Sequence, residues 1–189
     1  MRTLLIFAAL VGMSFLFSAC GATSVRVDSS ETDSSAQNQQ LAAELSDKAS
    51  HLLLTDPQEA MKLLRQAIEA DLFHGPAHNN MGVILLNQGE LYKAAEEFDW
   101  ARRLMPGHPD PRLNLGIALE RGGKIDDAIE AYSSAIEVYP GHIPAIQALA
   151  RIQFSSGRVD DSIEELLQEI VMRGTPEWRA WARTRQLER

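Results

Sequence analysis

The sequence predicts an all-α fold, a solenoid of stacked helix-turn-helix repeats closed by a C-terminal capping helix. The first observation behind this is a 34-residue self-similarity. Gly82 and Gly116, Leu85 and Leu119, Gly89 and Gly123, Ala94 and Ala128, Phe98 and Tyr132, Ala101 and Ala135, and Pro106 and Pro140 all pair at that spacing. A fixed period in this range marks a stacked repeat architecture. The second observation is that each period carries two apolar stripes at helical spacing, and the third is that glycine or proline ends each stripe.

Taken in chain order, Met1-Arg2 gives a positive start, Leu4 to Phe17 an apolar run, and Phe17-Ser18-Ala19-Cys20 the small-residue end of a secretory signal. The run falls short of the roughly 20 residues that span a bilayer. Residues 1–19 resemble a bacterial lipoprotein signal, which implies that Cys20 becomes the lipidated first residue; the alternative is an uncleaved anchor or an ordinary signal with an incidental cysteine. Phe17 departs from that pattern, where Leu is usual. Cys20 is the only cysteine, so no internal disulfide can form and acylation is the simplest use of the thiol. Gly21 follows it rather than Asp, which by the sorting rule of enteric-type bacteria implies an outer-membrane location facing the periplasm. Residues 21–40 are rich in Ser, Thr, Asp and Gln and nearly free of large apolar side chains, so the stretch is expected to be a flexible tether.

The repeats are expected over 41–174, as units at about 41–74, 75–108, 109–142 and 143–174. In the first, Asp56-Pro57 opens a second helix that keeps Ala60, Leu64 and Ala67 in register. Its partner is one residue out of register, with Leu45, Ala49 and Leu52 as the apolar stripe, which predicts a connecting turn one residue shorter. In the second unit Met81, Val83, Ile84, Leu85 and Leu86 form the first stripe, stopped by Gly89; Leu91, Ala94, Ala95, Phe98, Ala101 and Leu104 form the other, stopped at Met105-Pro106-Gly107. Gly82 and Ala94 are small because antiparallel helices approach closely only where a side chain is absent or a methyl. The third unit repeats the plan with Gly116, Ala128 and Tyr132. The fourth keeps Leu149-Ala150, Gly157 and Leu166 but has Gln153, Ser162 and Glu169 at positions otherwise apolar or small. Thr175-Pro176-Glu177 then opens a last helix, 175–189, with Trp178 and Trp181 on one face and Arg179, Arg183, Arg185 and Arg189 elsewhere. It is expected to cover the final apolar edge; the alternative is a docking or lipid-contacting helix.

The series Met81-Gly82, Leu85, Gly89, Ala94, Phe98, Ala101, Pro106 and its echo Leu115-Gly116, Leu119, Gly123, Ala128, Tyr132, Ala135, Pro140 resemble the tetratricopeptide repeat family. The resemblance covers about residues 41–174. It implies a right-handed superhelix whose first helices line a concave groove that binds an extended peptide. Carried over to this chain, the groove positions are Asn79, Asn80, Val83, Leu86 and Asn87, then Leu113, Asn114, Ile117, Glu120 and Arg121, then Gln147, Arg151, Phe154 and Ser155. Asn80 and Asn114 each carry an amide that suits a peptide backbone, donating and accepting at once. The mixed surface suits a protein segment with apolar side chains. The family's clamp for chaperone C-terminal carboxylates needs Lys or Arg where Asn79 and Leu113 stand.

Other chemistry is weighed against this. The formal charge of -8 opposes nucleic-acid binding. His74, His108 and His142 share one position in successive units, but stacked helices lie on the order of 10 Å apart, so one metal ion joining all three is not expected. The carboxylate pairs Glu96-Glu97, Asp126-Asp127 and Glu164-Glu165 are expected on solvated faces. No nucleophile-base arrangement or phosphate loop stands out, so no catalytic residue, cofactor or metal is assigned. The function expected is a lipid-anchored scaffold of the bacterial cell envelope that holds a protein or peptide partner, similar in plan to pilotins and adaptor lipoproteins. The alternative is a structural spacer or self-associating module with no extended-peptide ligand.

Overall fold

The computed structural model describes residues 29–188. The signal at 1–19, Cys20 and the tether as far as residue 28 lie outside the described residues, as does residue 189. Among the described residues there are nine helices: α1 (Ser29–Ser50), α2 (Pro57–Ala70), α3 (Gly75–Asn87), α4 (Leu91–Leu104), α5 (Asp110–Arg121), α6 (Ile125–Val138), α7 (Ile143–Ser156), α8 (Ile163–Arg173) and α9 (Pro176–Leu187). Each packs on the next in chain order, and α1, α3, α5 and α7 also touch one another along one side. That continuous inner layer carries the positions expected to line the groove. None of these helices is long and apolar enough to cross a membrane.

The close pairs form as the sequence requires. A Cβ on Gly82 would stand 2.6 Å from the Phe98 ring, and one on Gly116 would fall inside contact with the Tyr132 ring. Phe98 and Tyr132 are fully buried there. Gly89, Gly123 and Gly157 take φ values of +80, +77 and +68, the left-handed region glycine enters without a Cβ penalty. This reversal lets the amides of Glu90, Lys124 and Arg158 reach back to the carbonyls of Leu85, Leu119 and Gln153, each at 2.9 Å, closing three successive inner helices in the same way.

Three departures from the sequence reading have local causes. The stretch expected as a tether through residue 40 is helical from Ser29 on. Extending an existing helix costs far less than starting one, and residues 34–40, exposed and mostly polar, extend α1. In the first unit Ala42, Ser46 and Ala49 are buried, while Leu45 and Leu52 only flank the core. The amide of Asp56, the cap of α2, reaches back four residues to Leu52, whereas that of Glu90, the cap of α4, reaches back five to Leu85, so the connection is one residue shorter, as the stripe predicts. It is accommodated by turns from Leu52 N–H to Ala49 and from Asp56 N–H to Leu52. In the fourth unit α8 starts only at Ile163, because Asp160 accepts hydrogen bonds from the Ser162 amide at 2.9 Å and from the buried Gln153 amide at 2.8 Å. Ile163, Leu166, Leu167 and Ile170 then form its buried face.

The last helix covers that face. Ala182 is fully buried, and Trp178 and Trp181 pack on the cluster that includes Ile146, Leu149 and Leu167. The exposed residues of α9 include Glu177, Arg179, Arg183 and Thr184, so it ends the stack with a soluble surface.

Candidate functional site: the concave groove

The inner helices carry their groove residues in register. Asn114 on α5 donates from its amide nitrogen to the Asn79 amide oxygen on α3 at 3.0 Å. Each amide is thus half used, and the Asn79 amino group and the Asn114 oxygen are left for a ligand backbone. Val83 and Ile117 lie beside them, half-buried against the cluster of Leu86, Phe98 and Ala118. Asn80 sits at the groove's edge, in a cavity of about 160 Å³ lined also by Pro76, Asn79, Met105, His108, Asp110 and Pro111. Asn87 is exposed at the end of α3, and Arg121 extends from α5 back to the Leu86 carbonyl at 3.4 Å.

Towards α7 the groove becomes ionic. Arg151 forks onto Glu120, with Nη1 to Oε1 at 2.6 Å and Nη2 to Oε2 at 2.8 Å. The Tyr132 hydroxyl donates to the same Oε2 at 2.7 Å. These contacts, led by the Arg151 hydrogen bond and opposed by burial, hold the Glu120 carboxyl below the ordinary carboxylate range. The same bond raises Arg151 further, and burial together with Glu120 pushes the Tyr132 phenol up. Arg151 is therefore tied down rather than offered singly, which its sequence position did not reveal.

At the far end Phe154 meets Trp181 edge-on at 5.7 Å, and Trp181 meets Trp178 at 5.3 Å. Arg185 lies over Phe154 and Trp181 at 5.7 and 5.8 Å, and pairs with Glu188. Phe154 is thus shared between groove and cap. The helix α9 follows the phase of the inner helices, since Trp181 and Arg185 stand 34 residues after Gln147 and Arg151. The signal for this was in the spacing, although the sequence reading weighed the helix as a terminal cover or a docking helix and not as a continuation of the inner layer.

Two further groupings were not read from sequence as they stand. His78, buried on α3, puts Nδ1 2.8 Å from Glu97 and Nε2 3.1 Å from the Leu72 carbonyl, and stacks on Trp100 at 6.0 Å. Both partners only accept, so the imidazolium suits the site. Burial pulls its pKa down, but the bonds to Glu97 and Leu72 and the charge of Asp71 outweigh this and leave it raised. Glu97 is accordingly no solvated bystander. Asp110 stands 3.0 Å from His142 and 3.7 Å from His108, so two of the three equivalent histidines do meet, across a carboxylate. Among the described residues no group of three or more His, Cys, Asp or Glu side chains is placed to hold a metal ion. On the outer side, clefts of about 550 and 440 Å³ separate α2 from α4 and α4 from α6.

Comparison with known proteins agrees with this geometry. Residues 18–177 match the family model described as the protein kinase G tetratricopeptide repeat. Among solved structures, the first tetratricopeptide domain of Spaghetti (RPAP3) bound to the HSP90 peptide SRMEEVD is 18% identical, with 63% of this chain and 95% of that one covered at a TM-score of 0.59. The first such domain of human RPAP3 is 17% identical, covering 64% and 95% at 0.60. A crystal structure of MamA is 19% identical, covering 84% and 87% at 0.59. A search of curated protein sequences finds no match. With the repeat register, the inner-helix groove and the family match over most of its length in agreement, the chain belongs to the tetratricopeptide repeat family.

Proposed function

We propose that this protein is a lipid-anchored scaffold of the bacterial cell envelope that holds an extended protein segment in its concave groove, without catalysis of its own. The observation that carries the binding half is the Asn79–Asn114 amide pair beside Val83 and Ile117, a donor, an acceptor and an apolar floor joined across two repeats. The RPAP3 domain with its HSP90 peptide is a structural neighbour that holds a peptide, and it supports the same use here. The anchoring half rests on the apolar run before Cys20. Several acyl chains are needed for a stable membrane hold, and the lipoprotein route supplies more than one.

The binding half is tested by replacing Asn79, Asn80 and Asn114 together with Ala. Polar contacts contribute about 0.5–1.5 kcal/mol each, so partner recovery from crosslinked envelopes, read by mass spectrometry, is expected to fall at least tenfold with the melting temperature little changed. Recovery at the wild-type level places the partner elsewhere and leaves the spacer reading. The anchoring half is tested by Cys20→Ser, expected to release the chain from membranes. A processed form that stays membrane-bound removes it.

A further inference from the structure

We propose that Glu120 sets the charge selectivity of the groove, holding Arg151 as an internal counter-ion so that the groove takes an uncharged peptide segment with apolar side chains and turns acidic tails away. This deepens the groove reading above and rests on it. Neighbouring inner helices meet through one recurring diagonal, a residue near the end of one helix and a residue 31 positions later on the next. The three instances are Leu86 with Ile117, Glu120 with Arg151, and Phe154 with Arg185. The first is an apolar junction, Leu86 being buried in the cluster on which Ile117 packs. The second is the forked ion pair, and the third a cation over aromatic rings.

A peptide lying along the groove therefore passes an apolar junction and then a cation whose charge is already matched. Glu120 is only 20% exposed and Arg151 is 43% exposed, so the ligand meets the guanidinium with the carboxylate just beneath it. A tail carboxylate gains little from that cation, because Glu120 repels it across a similar distance, in a setting less screened than open water. Among the described residues, the other groove cations are engaged as well. Arg185 is stacked on Phe154 and Trp181 and paired with Glu188, while Arg121 bonds the Leu86 carbonyl. The α3 side offers only Asn79, Asn80 and Asn87, which are neutral. Three contacts keep Glu120 ionised, the fork from Arg151, the Tyr132 hydroxyl and the nearby charge of Arg121. The bond from Tyr132, itself anchored against Gly116, fixes the carboxylate to the repeat core.

The test uses the full chain and two labelled probes read by fluorescence anisotropy. One is the acidic peptide SRMEEVD with a free C-terminal carboxylate; the other replaces its Arg by Gln and its acids by Gln, Gln and Asn and ends in an amide, and both carry the label on the N-terminal amine, so that the second is uncharged. Wild type is expected to hold the neutral peptide several-fold more tightly than the acidic one. Glu120→Gln is expected to tighten the acidic peptide at least tenfold, in a salt-sensitive way, and Arg151→Gln added to it to abolish the gain. Equal binding of the two probes by wild type, no gain in Glu120→Gln, or a gain that survives loss of Arg151 each overturns the proposal. Should Glu120→Gln unfold the chain, the swap Glu120→Arg with Arg151→Glu keeps the bridge and is expected to hold the acidic peptide no better than wild type; tight binding there also overturns it. The envelope-capture test is a separate readout. Capture lost in the asparagine variant without a gain in Glu120→Gln leaves the groove standing and removes the counter-ion role, whereas the reverse pattern puts the partner elsewhere and keeps the selectivity.

Discussion

The two central repeats and the unit that follows them solve one packing problem in different ways. In α3–α4 and α5–α6 an aromatic ring on the second helix lies against a glycine on the first, Phe98 on Gly82 and Tyr132 on Gly116. In α7–α8 the glycine becomes Ala150 and the ring becomes Leu166, so the methyl added on one side is matched by bulk removed on the other. The polar differences run in parallel. The fourth position of each of these repeat units, on the inner helix, is His78, Arg112 and Ile146 in turn. His78 is bonded to Glu97, Arg112 reaches Ser134 at 3.1 Å and the His108 carbonyl at 3.0 Å, and Ile146 is simply buried. The lesson is that the repeat conserves volume and closeness, whereas the chemistry of each junction is free to vary.

The largest effect that would break this comparison is truncation of the central ring. Phe98→Ala is expected to cost about 3–5 kcal/mol, as loss of a fully buried aromatic does, measured by urea unfolding. Leu166→Ala, at a residue 8% exposed and closed by the α9 cap, is expected to fall near the lower end of the roughly 2–5 kcal/mol range for buried aliphatics. A larger loss at Leu166 than at Phe98 would mean that the end of the stack, not its centre, holds the fold.

Next in size is overpacking. Gly116→Leu must drive the Tyr132 ring from its place and is expected to cost at least the roughly 1–3 kcal/mol typical of inserted bulk. It should also release the Tyr132 hydroxyl from Glu120, so the ion pair to Arg151 loosens with it. A melting temperature unchanged by Gly116→Leu would contradict the close approach on which the whole register depends.

Much of this was legible before the structure, and the reason is local. Gly82 with Phe98 and Gly116 with Tyr132 lie on consecutive helices, and the left-handed turns need glycine at Gly89, Gly123 and Gly157. Such constraints write themselves into residue type at fixed spacing. The groove was legible as a set of positions but not as a set of contacts. Arg151 looked like a side chain open to a ligand because its partner Glu120 lies 31 residues away on another helix. The 31-residue spacing recurs, but the side chains that meet across it change from apolar to ionic to aromatic, so no residue type repeats to mark it. Likewise Glu97 looked solvated beside Glu96, since nothing nearby in sequence marks His78, 19 residues earlier, as its partner. In the first unit Ala42 and Ser46 are buried beside Ala49, small side chains that a stripe drawn through the larger Leu45 and Leu52 passes over.

The smallest effect sharpens the comparison through pH, because only the first central repeat places a histidine at the fourth inner position. The folded-state pKa of His78 is raised by Glu97, the Leu72 carbonyl and Asp71 against the pull of burial. Its contribution to stability is therefore complete below the unfolded value of about 6.5 and is lost as pH rises through the folded value. His74, in the adjoining turn, is shifted the other way, with burial first among the causes, the Asp71 charge opposing it and His78 adding to it. Its effect has the opposite sign, weakening the fold as pH falls, so the wild-type profile alone mixes the two. The difference between wild type and His78→Gln isolates the first. Thermal unfolding across pH 6 to 9 should give a gap that is widest at the acid end and narrows with rising pH, while Ile146→Val, at the same position two units on, should give a gap that does not change with pH. If the His78→Gln gap is constant, the imidazole is neutral throughout and holds α3 to α4 by shape alone.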